Sequence, residues 1–189
     1  MELERKRTAL VGSTICARGM CRAEGVKPEG NAPLSFVLIS EANDGLRRDW
    51  YSGEQYIERL DISGASWPQR LTFFKDHNAS TDNAIGRVHD VKVADNTLIG
   101  DVTFGTGNEE QTVRRKYLEG ILTDVSVSYR INAYTIKERE GEPDLVIVTD
   151  FELIEVSAVG IGFDAGAKKR GISEDEFEER LNSLEQKLK

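Results

Sequence analysis

The 189-residue sequence contains two histidines, and one of them, His77, stands where an imidazole could act as a general base. His77 follows the apolar run 71–74 and lies in the polar stretch Lys75-Asp76-His77-Asn78, the expected end of a strand. His89 lies within an expected hairpin. A serine becomes a nucleophile when a nearby imidazole takes its proton and a third group orients that imidazole. The residue types allow this chemistry, but a lone histidine is more often a surface or core residue satisfied by hydrogen bonds.

The serine and the orienting group are not selected by residue type alone, because most serine hydroxyls are solvated or bonded to the backbone. Ser126 and Ser128 lie two residues apart in one expected strand and so share a face of it. In the next expected strand, Glu152 and Glu155 each have apolar neighbours that would partly desolvate a carboxylate. Because these glutamates are three residues apart, regular alternation places them on opposite faces.

Six short motifs follow one another along the chain, and they are Asp76-His77, Ile85-Gly86-Arg87-Val88, Leu98-Ile99-Gly100-Asp101-Val102, Tyr117-Leu118-Glu119-Gly120-Ile121-Leu122, Asp124-Val125-Ser126-Val127-Ser128-Tyr129 and Leu153-Ile154-Glu155-Val156-Ser157-Ala158-Val159. In this order, from about Ser35 to about Ala167, the chain resembles the prohead proteases of tailed bacteriophages, which are similar in fold to herpesvirus assemblin. The resemblance implies an α+β fold of mainly antiparallel strands, with an assemblin-like β-barrel, surrounding helices and a C-terminal amphipathic helix.

The same resemblance implies a serine endopeptidase in which His77 is the general base, Ser126 the nucleophile and Glu155 the third member. Glu152 remains the alternative to Glu155. The chain departs from the family pattern at Ser128, where glycine is usual, which makes Ser128 the rival nucleophile, although Ser126 is favoured. A second departure is the glycine-rich turn 160–162, where prolines are common and where backbone N–H groups could approach an oxyanion.

By resemblance, the substrates would be segments of the internal scaffold and of the major capsid protein, together with the chain itself. Self-association is a further expectation. The place of action would be the host cytoplasm, inside the assembling prohead, and the reaction would need no cofactor and no metal. The alternative is a non-catalytic scaffold or adaptor barrel of the virion that uses its C-terminal helix for assembly. A small-ligand barrel in which His77 is a bystander ranks third.

Length and composition predict one main domain, with 39% hydrophobic and 31% charged residues. We assign residues 1–170 to a protease domain and residues 171–189 to an amphipathic helix. Ser173 and Glu176 form a capping-box pattern at its start. The apolar residues of this helix recur at steps of four and three, and they are Phe177, Leu181, Leu184 and Leu188.

The pattern of apolar residues predicts the remaining elements. Strands are expected at 35–40, 71–74, 85–88, 91–93, 98–104, 123–131 and 145–159, with a hairpin loop at Ala94-Asp95-Asn96. A helix is expected to be capped by Asn108 and stopped by Gly120. For residues 47–60 the pattern does not decide between a short helix and an irregular segment.

Bulk properties exclude several classes of function. A formal net charge of −8 gives no support for binding to nucleic-acid phosphates. No apolar run is long enough to span a membrane, and charged residues occupy the place of a signal peptide's apolar core. Cys16 and Cys21 lack the additional cysteine or histidine ligands that a zinc site needs. We expect them to be buried or idle thiols in a reducing cytosol. Gly105-Thr106-Gly107 lacks the lysine that completes a phosphate-binding loop.

Overall fold

The computed structural model describes residues 14–21 by their backbone, and residues 30–49 and 51–161 in full. Within these ranges lie ten strands, one α-helix, α1 (Asn108–Leu118), and two short 3₁₀ helices, Ile62–Gly64 and Thr81–Asn83. The strands are β1 (Thr14–Cys21), β2 (Leu34–Ile39), β3 (Gly45–Arg48), β4 (Gln55–Leu60), β5 (Ala65–Ser66), β6 (Leu71–Lys75), β7 (Ala84–Ala94), β8 (Thr97–Phe104), β9 (Asp124–Lys137) and β10 (Asp144–Ala158). The predicted helix at 171–189 lies outside the described residues, as does the predicted domain boundary.

All ten strands belong to one mixed sheet in the order β3-β4-β10-β6-β7-β8-β2-β1-β9. β5 pairs with β10 beside this path, and β9 also pairs with β10. The parallel pairs are those that β10 makes with β4, β5 and β6, and the other pairs are antiparallel. The expected α+β class with mainly antiparallel strands therefore agrees with the structure.

The expected β-barrel with surrounding helices agrees with the structure only in part. The strands β10, β6, β7, β8, β2, β1 and β9 pair in a ring that closes at the β9–β10 pair, while β4 and β3 branch from β10 and end at an open edge. The described ranges hold a single α-helix. The branch has a simple cause, since β10 is 15 residues long. One of its edges accommodates three short strands in succession, while the other edge pairs with β9.

The predicted hairpin between β7 and β8 is confirmed, with Asp95 and Asn96 at φ values of +48° and +52°. Two successive left-handed residues match the twist of a tight hairpin. For residues 47–60, both interpretations from sequence were wrong, because β3 and β4 form an antiparallel pair. The connection favours this pairing, since Asp49 Oδ1 accepts hydrogen bonds from the N–H groups of Tyr51 (2.9 Å) and Ser52 (2.7 Å).

The helix α1 begins one residue earlier than predicted. Gly107, with an extended backbone, is the N-cap, and Asn108 is the first helical residue. Gly120 ends the helix as expected, at φ +72°, where its N–H bonds to the carbonyl of Tyr117 at 3.1 Å. The Tyr117 hydroxyl donates to the carbonyl of Asp124 at 2.8 Å, which fixes the helix beside the first residue of β9.

The alternation of β9 separates the core from a second face. Its apolar side chains, each 0% exposed, point into the hydrophobic core, and they are Val125, Val127, Tyr129 and Ile131. Ser126 and Ser128 alternate with them and therefore point to the other face. Both serines are nevertheless buried. The face opposite the core is thus covered where the two candidate nucleophiles lie.

Candidate active site

His77 is carried by a tight turn that directly follows β6. Asp76 and His77 have φ values of +51° and +57°, in the left-handed region that residues other than glycine rarely occupy. The N–H of Asn78 donates to the carbonyl of Lys75 at 2.9 Å and closes the turn. The N–H of His77 donates to Ser157 Oγ of β10 at 3.2 Å. The turn is therefore tied to β10 at the histidine itself.

A β-bulge in β10 determines which side chains meet this turn. The register passes from Leu153 opposite Tyr129 to Glu155 opposite Ser128, so Ile154 is the extra residue. Ile154 is among the exposed apolar side chains, whereas Glu155 is buried. The bulge therefore places a carboxylate, rather than an isoleucine, beside Ser128.

The bulge also corrects the expected placement of the two candidate glutamates. Glu152 lies opposite Arg130 and Glu155 opposite Ser128, and these two partners share one face of β9. The glutamates therefore lie on the same face, contrary to the expectation from regular alternation. Glu152 Oε2 lies 3.2 Å from Arg130 Nη1 in an ion pair whose side chains are 41% and 50% exposed. Glu155 is the glutamate that contacts His77.

The carboxylate of Glu155 is the centre of a cluster of four side chains. Its Oε1 atom lies 2.5 Å from His77 Nδ1 and accepts a hydrogen bond from Ser128 Oγ at 2.6 Å. Its Oε2 atom accepts one from Ser157 Oγ at 2.6 Å. Ser128 Oγ also lies 3.3 Å from His77 Nδ1. The structure thus brings His77, Glu155 and Ser128 together and adds Ser157, which the sequence analysis missed although it follows Glu155 by two residues.

These contacts lower the pKa of Glu155. Burial of the carboxyl group raises its pKa, but hydrogen bonds from His77, Ser128 and Ser157 and the charge of His77 more than offset this effect. The pKa therefore lies below the usual value for glutamate. A carboxylate that stays ionised can stabilise an imidazolium beside it.

The contact with Glu155 assigns the proton on the His77 ring. A carboxylate only accepts hydrogen bonds, so the close approach of Oε1 to Nδ1 requires a proton on Nδ1. In the neutral ring, Nε2 then holds the lone pair and is the basic atom. The His77 side chain is 27% exposed, so a substrate can reach it. Ser128 lies on the Nδ1 side, where its hydroxyl supports Glu155 rather than facing the basic nitrogen.

Ser126 belongs to the same face by strand register. It precedes Ser128 by two residues and lies opposite Ser157 across the β9–β10 pair. Ser157 in turn contacts both the backbone of His77 and the carboxylate of Glu155. On its other side, the backbone of Ser126 pairs with Arg18 of β1. The predicted nucleophile is thus a strand neighbour of the cluster around His77.

The second histidine makes a separate set of contacts in β7. His89 Nδ1 lies 2.8 Å from Asp90 Oδ2, and Nε2 lies 2.8 Å from Thr103 Oγ1 of β8. The Asp90 side chain is 77% exposed. In the sheet order β6 separates β7 from β10. His89 is therefore not part of the cluster around Glu155.

Other expected features of the site are described only in part. Gly160 and Ile161 of the glycine-rich turn are exposed just after β10, and Gly162 lies outside the described residues.

Among the residues with described side chains, no group of three or more histidine, cysteine, aspartate or glutamate residues could hold a metal ion. No helix in the described ranges is both long and apolar enough to cross a membrane.

No protein-family model matches the chain. No curated protein matches it either. Among solved structures, it is similar to the capsid assembly protease gp21 of bacteriophage T4, with a TM-score of 0.45 and 10% sequence identity. That alignment covers 79% of this chain and 98% of the other.

Proposed function

We propose that the chain is a serine endopeptidase in which Ser126 is the nucleophile, His77 the general base and Glu155 the group that orients His77. The observation that carries the proposal is the 2.5 Å contact between His77 Nδ1 and Glu155 Oε1. It gives the imidazole the tautomer that a general base needs, with its lone pair on Nε2. The lowered pKa of Glu155 supports its role as the anionic partner.

The proposed reaction has two stages. First, Nε2 of His77 takes the proton of Ser126 Oγ while this oxygen attacks the scissile carbonyl carbon. The carbon–nitrogen bond then breaks, and the leaving amine takes the proton from Nε2, which leaves an acyl-enzyme. Water repeats the sequence, giving its proton to Nε2 and releasing the free acid and the Ser126 hydroxyl. In each stage, Glu155 stabilises the transient imidazolium.

Ser126 is preferred to Ser128 for a chemical reason. The basic atom of the ring is Nε2, and a nucleophile must give its proton to that atom. Ser128 Oγ contacts Nδ1 and Glu155 Oε1, which is the orienting side of the ring. Ser126 lies on the same face of β9 as Ser128. It precedes Ser128 by two residues and is opposite Ser157 of β10.

We infer that the substrates are segments of scaffold and capsid proteins of an assembling phage particle, together with the chain itself. The order of sequence motifs from Asp76 to Val159 supports this inference. The corresponding place of action is the interior of the assembling prohead in the host cell.

Reaction with a fluorophosphonate tests the proposal, because this reagent modifies activated serines. The folded chain would be treated, digested and mapped by mass spectrometry, with urea-unfolded chain and a His77→Ala variant as controls. We expect modification of Ser126 in the folded wild type and in neither control. If no serine of the folded chain reacted, the peptidase assignment would be wrong and a non-catalytic assembly role would remain.

A further inference from the structure

Ser157 belongs to the cluster around Glu155 but takes no part in the proposed chemistry. It is 0% exposed. Its hydroxyl accepts a hydrogen bond from the N–H of His77 at 3.2 Å and donates one to Glu155 Oε2 at 2.6 Å. Because a serine hydroxyl has one proton and two lone pairs, it can make both bonds at once. One buried oxygen thus joins the backbone of His77 to the carboxylate that holds its ring.

These bonds form a closed loop through a single histidine. The loop runs from the His77 N–H to Ser157 Oγ, from there to Glu155, and back to His77 through Oε1 and Nδ1. The backbone and the ring of His77 are therefore both linked by hydrogen bonds to the carboxylate of Glu155. A loop of this kind restricts both side-chain torsions of His77, and hence the direction of Nε2.

The backbone at this turn needs external support. Asp76 and His77 are both left-handed, a conformation that persists in such residues only where the surroundings impose it. Two adjacent residues of β10, Ser157 and Ala158, provide the support. The first support is the carbonyl of Ala158, which accepts a hydrogen bond from the N–H of Asp76 at 2.9 Å. The second support is the side chain of Ser157. Of these two, only the bond to Ser157 depends on a side chain.

We propose that Ser157 is a positioning residue that fixes the His77 imidazole by joining the turn at Asp76 and His77 to Glu155. Its effect on reaction rate rests on the proposed function, whereas its effect on the imidazole does not. Removal of the hydroxyl takes a bonding partner from the His77 N–H and from Glu155 Oε2 together. The ring then loses its fixed orientation although Ser126 and Glu155 are both still present.

The test compares Ser157→Ala with Ser66→Ala. Ser66 is a matched control, because its hydroxyl donates to the carbonyl of Phe151 at 3.0 Å, also in β10 but away from His77. Two readouts are needed, which are the low-field NMR signal of the His77 Nδ1 proton and the rate of fluorophosphonate modification. A thermal melt establishes that each variant is folded.

We expect folded Ser157→Ala to lose or broaden the Nδ1 proton signal and to react roughly 10- to 100-fold more slowly, since small misplacements of reacting groups have effects of that size. Ser66→Ala should match the wild type in both readouts. A wild-type signal and rate in Ser157→Ala would overturn the proposal. Loss of the signal in Ser157→Ala, with a wild type that reacts with no fluorophosphonate, would support the positioning role and reject the proposed enzymatic function.

A measurement on the wild type keeps the proposal testable if Ser157→Ala does not fold. The N–H of His77 bonds to a fully buried hydroxyl, so its hydrogen exchange should be slow compared with that of an exposed amide. Exchange of this amide at the rate of an unprotected peptide would overturn the proposal, because the bond from the turn to Ser157 would then be absent in solution.

Discussion

Glu155 lies directly opposite Ser128 across the β9–β10 pair because Ile154 is bulged out of β10. In a regular ladder that continued from Leu153 and Tyr129, Ile154 would occupy this place. An apolar side chain would then stand where the buried carboxylate now contacts His77. The candidate site therefore depends on one extra residue in one strand.

The two serines of β9 should respond differently to removal of their hydroxyl groups. We expect Ser126→Ala to abolish fluorophosphonate modification of the folded chain, because the reacting oxygen is gone. Ser128→Ala should still be modified, but roughly 10- to 100-fold more slowly, since Glu155 loses a hydrogen bond of the strength typical for a charged acceptor. The rates would be measured by intact-protein mass spectrometry. Continued modification of Ser126→Ala, beside an inert Ser128→Ala, would reverse the two roles.

The stabilisation contributed by Glu155 should depend on pH. Its pKa in the folded chain lies below the ordinary value of 4.5. A lowered pKa means that the stabilisation is complete above 4.5 and is lost as the pH falls through the folded-state value. We therefore expect the free energy of unfolding of wild type minus that of Glu155→Gln to be larger above pH 4.5 than in stronger acid.

Urea unfolding of both proteins from about pH 7 to about pH 3 measures this difference. Glu152→Gln is the control, because Glu152 forms an exposed ion pair with Arg130. Such a pair contributes only about 0–1 kcal/mol. A difference between wild type and Glu155→Gln that stays constant with pH would show that Glu155 is not held as a carboxylate.

A buried hydrogen bond on the core side of β9 should contribute to stability. Tyr129 donates to Glu58 Oε1 at 2.5 Å, and the two residues are 0% and 3% exposed. Glu58 also pairs with Arg47 at 3.1 Å, while its Oε2 atom has no hydrogen-bond partner within the described part of the chain. We expect Tyr129→Phe to lower the free energy of unfolding by about 1–3 kcal/mol.

Tyr51→Phe is the matched control for this change, since Tyr51 is 89% exposed. We expect it to alter the free energy of unfolding by less than about 0.5 kcal/mol. Urea unfolding would measure both variants. Equal stability of Tyr129→Phe and wild type would indicate that Glu58 is satisfied without the tyrosine hydroxyl.

The close approach of Gly64 to β10 gives a prediction about packing. A Cβ atom at Gly64 would lie 2.0 Å from the carbonyl oxygen of Thr149, so the backbone would have to move. At Gly160 an added Cβ would meet nothing within 4 Å. We expect Gly64→Ala to destabilise the chain by about 1–3 kcal/mol or more, and Gly160→Ala to have little effect. Similar melting temperatures for both variants would contradict this packing.

Local patterns predicted much of this fold. The alternation in β9 is visible in the sequence, and it correctly places Ser126 and Ser128 on one face. The hairpin at Asp95 and Asn96 was predicted because those residues tolerate left-handed backbone conformations. The segment containing β3 and β4 was missed, since its strands are short and one edge of β4 pairs with the distant β10.

Long-range features of the site could not be read from the sequence. The bulge at Ile154 was missed, although the apolar positions shift there from Phe151 and Leu153 to Val156 and Ala158. Counting residues without this shift placed Glu152 and Glu155 on opposite faces. The left-handed conformation of His77 is imposed by hydrogen bonds to β10, which follows it by some 80 positions. Ser157 could have been found, because a spacing of two from Glu155 puts it on the same face.

A crystal structure of the chain after reaction with a fluorophosphonate tests most directly whether Ser126 and His77 act on one substrate atom. We expect phosphorus bonded to Ser126 Oγ, His77 Nε2 facing the phosphonyl group, and Nδ1 still against Glu155 Oε1. Phosphorus on Ser128, or a modified Ser126 that the His77 ring does not face, would contradict the proposed division of roles.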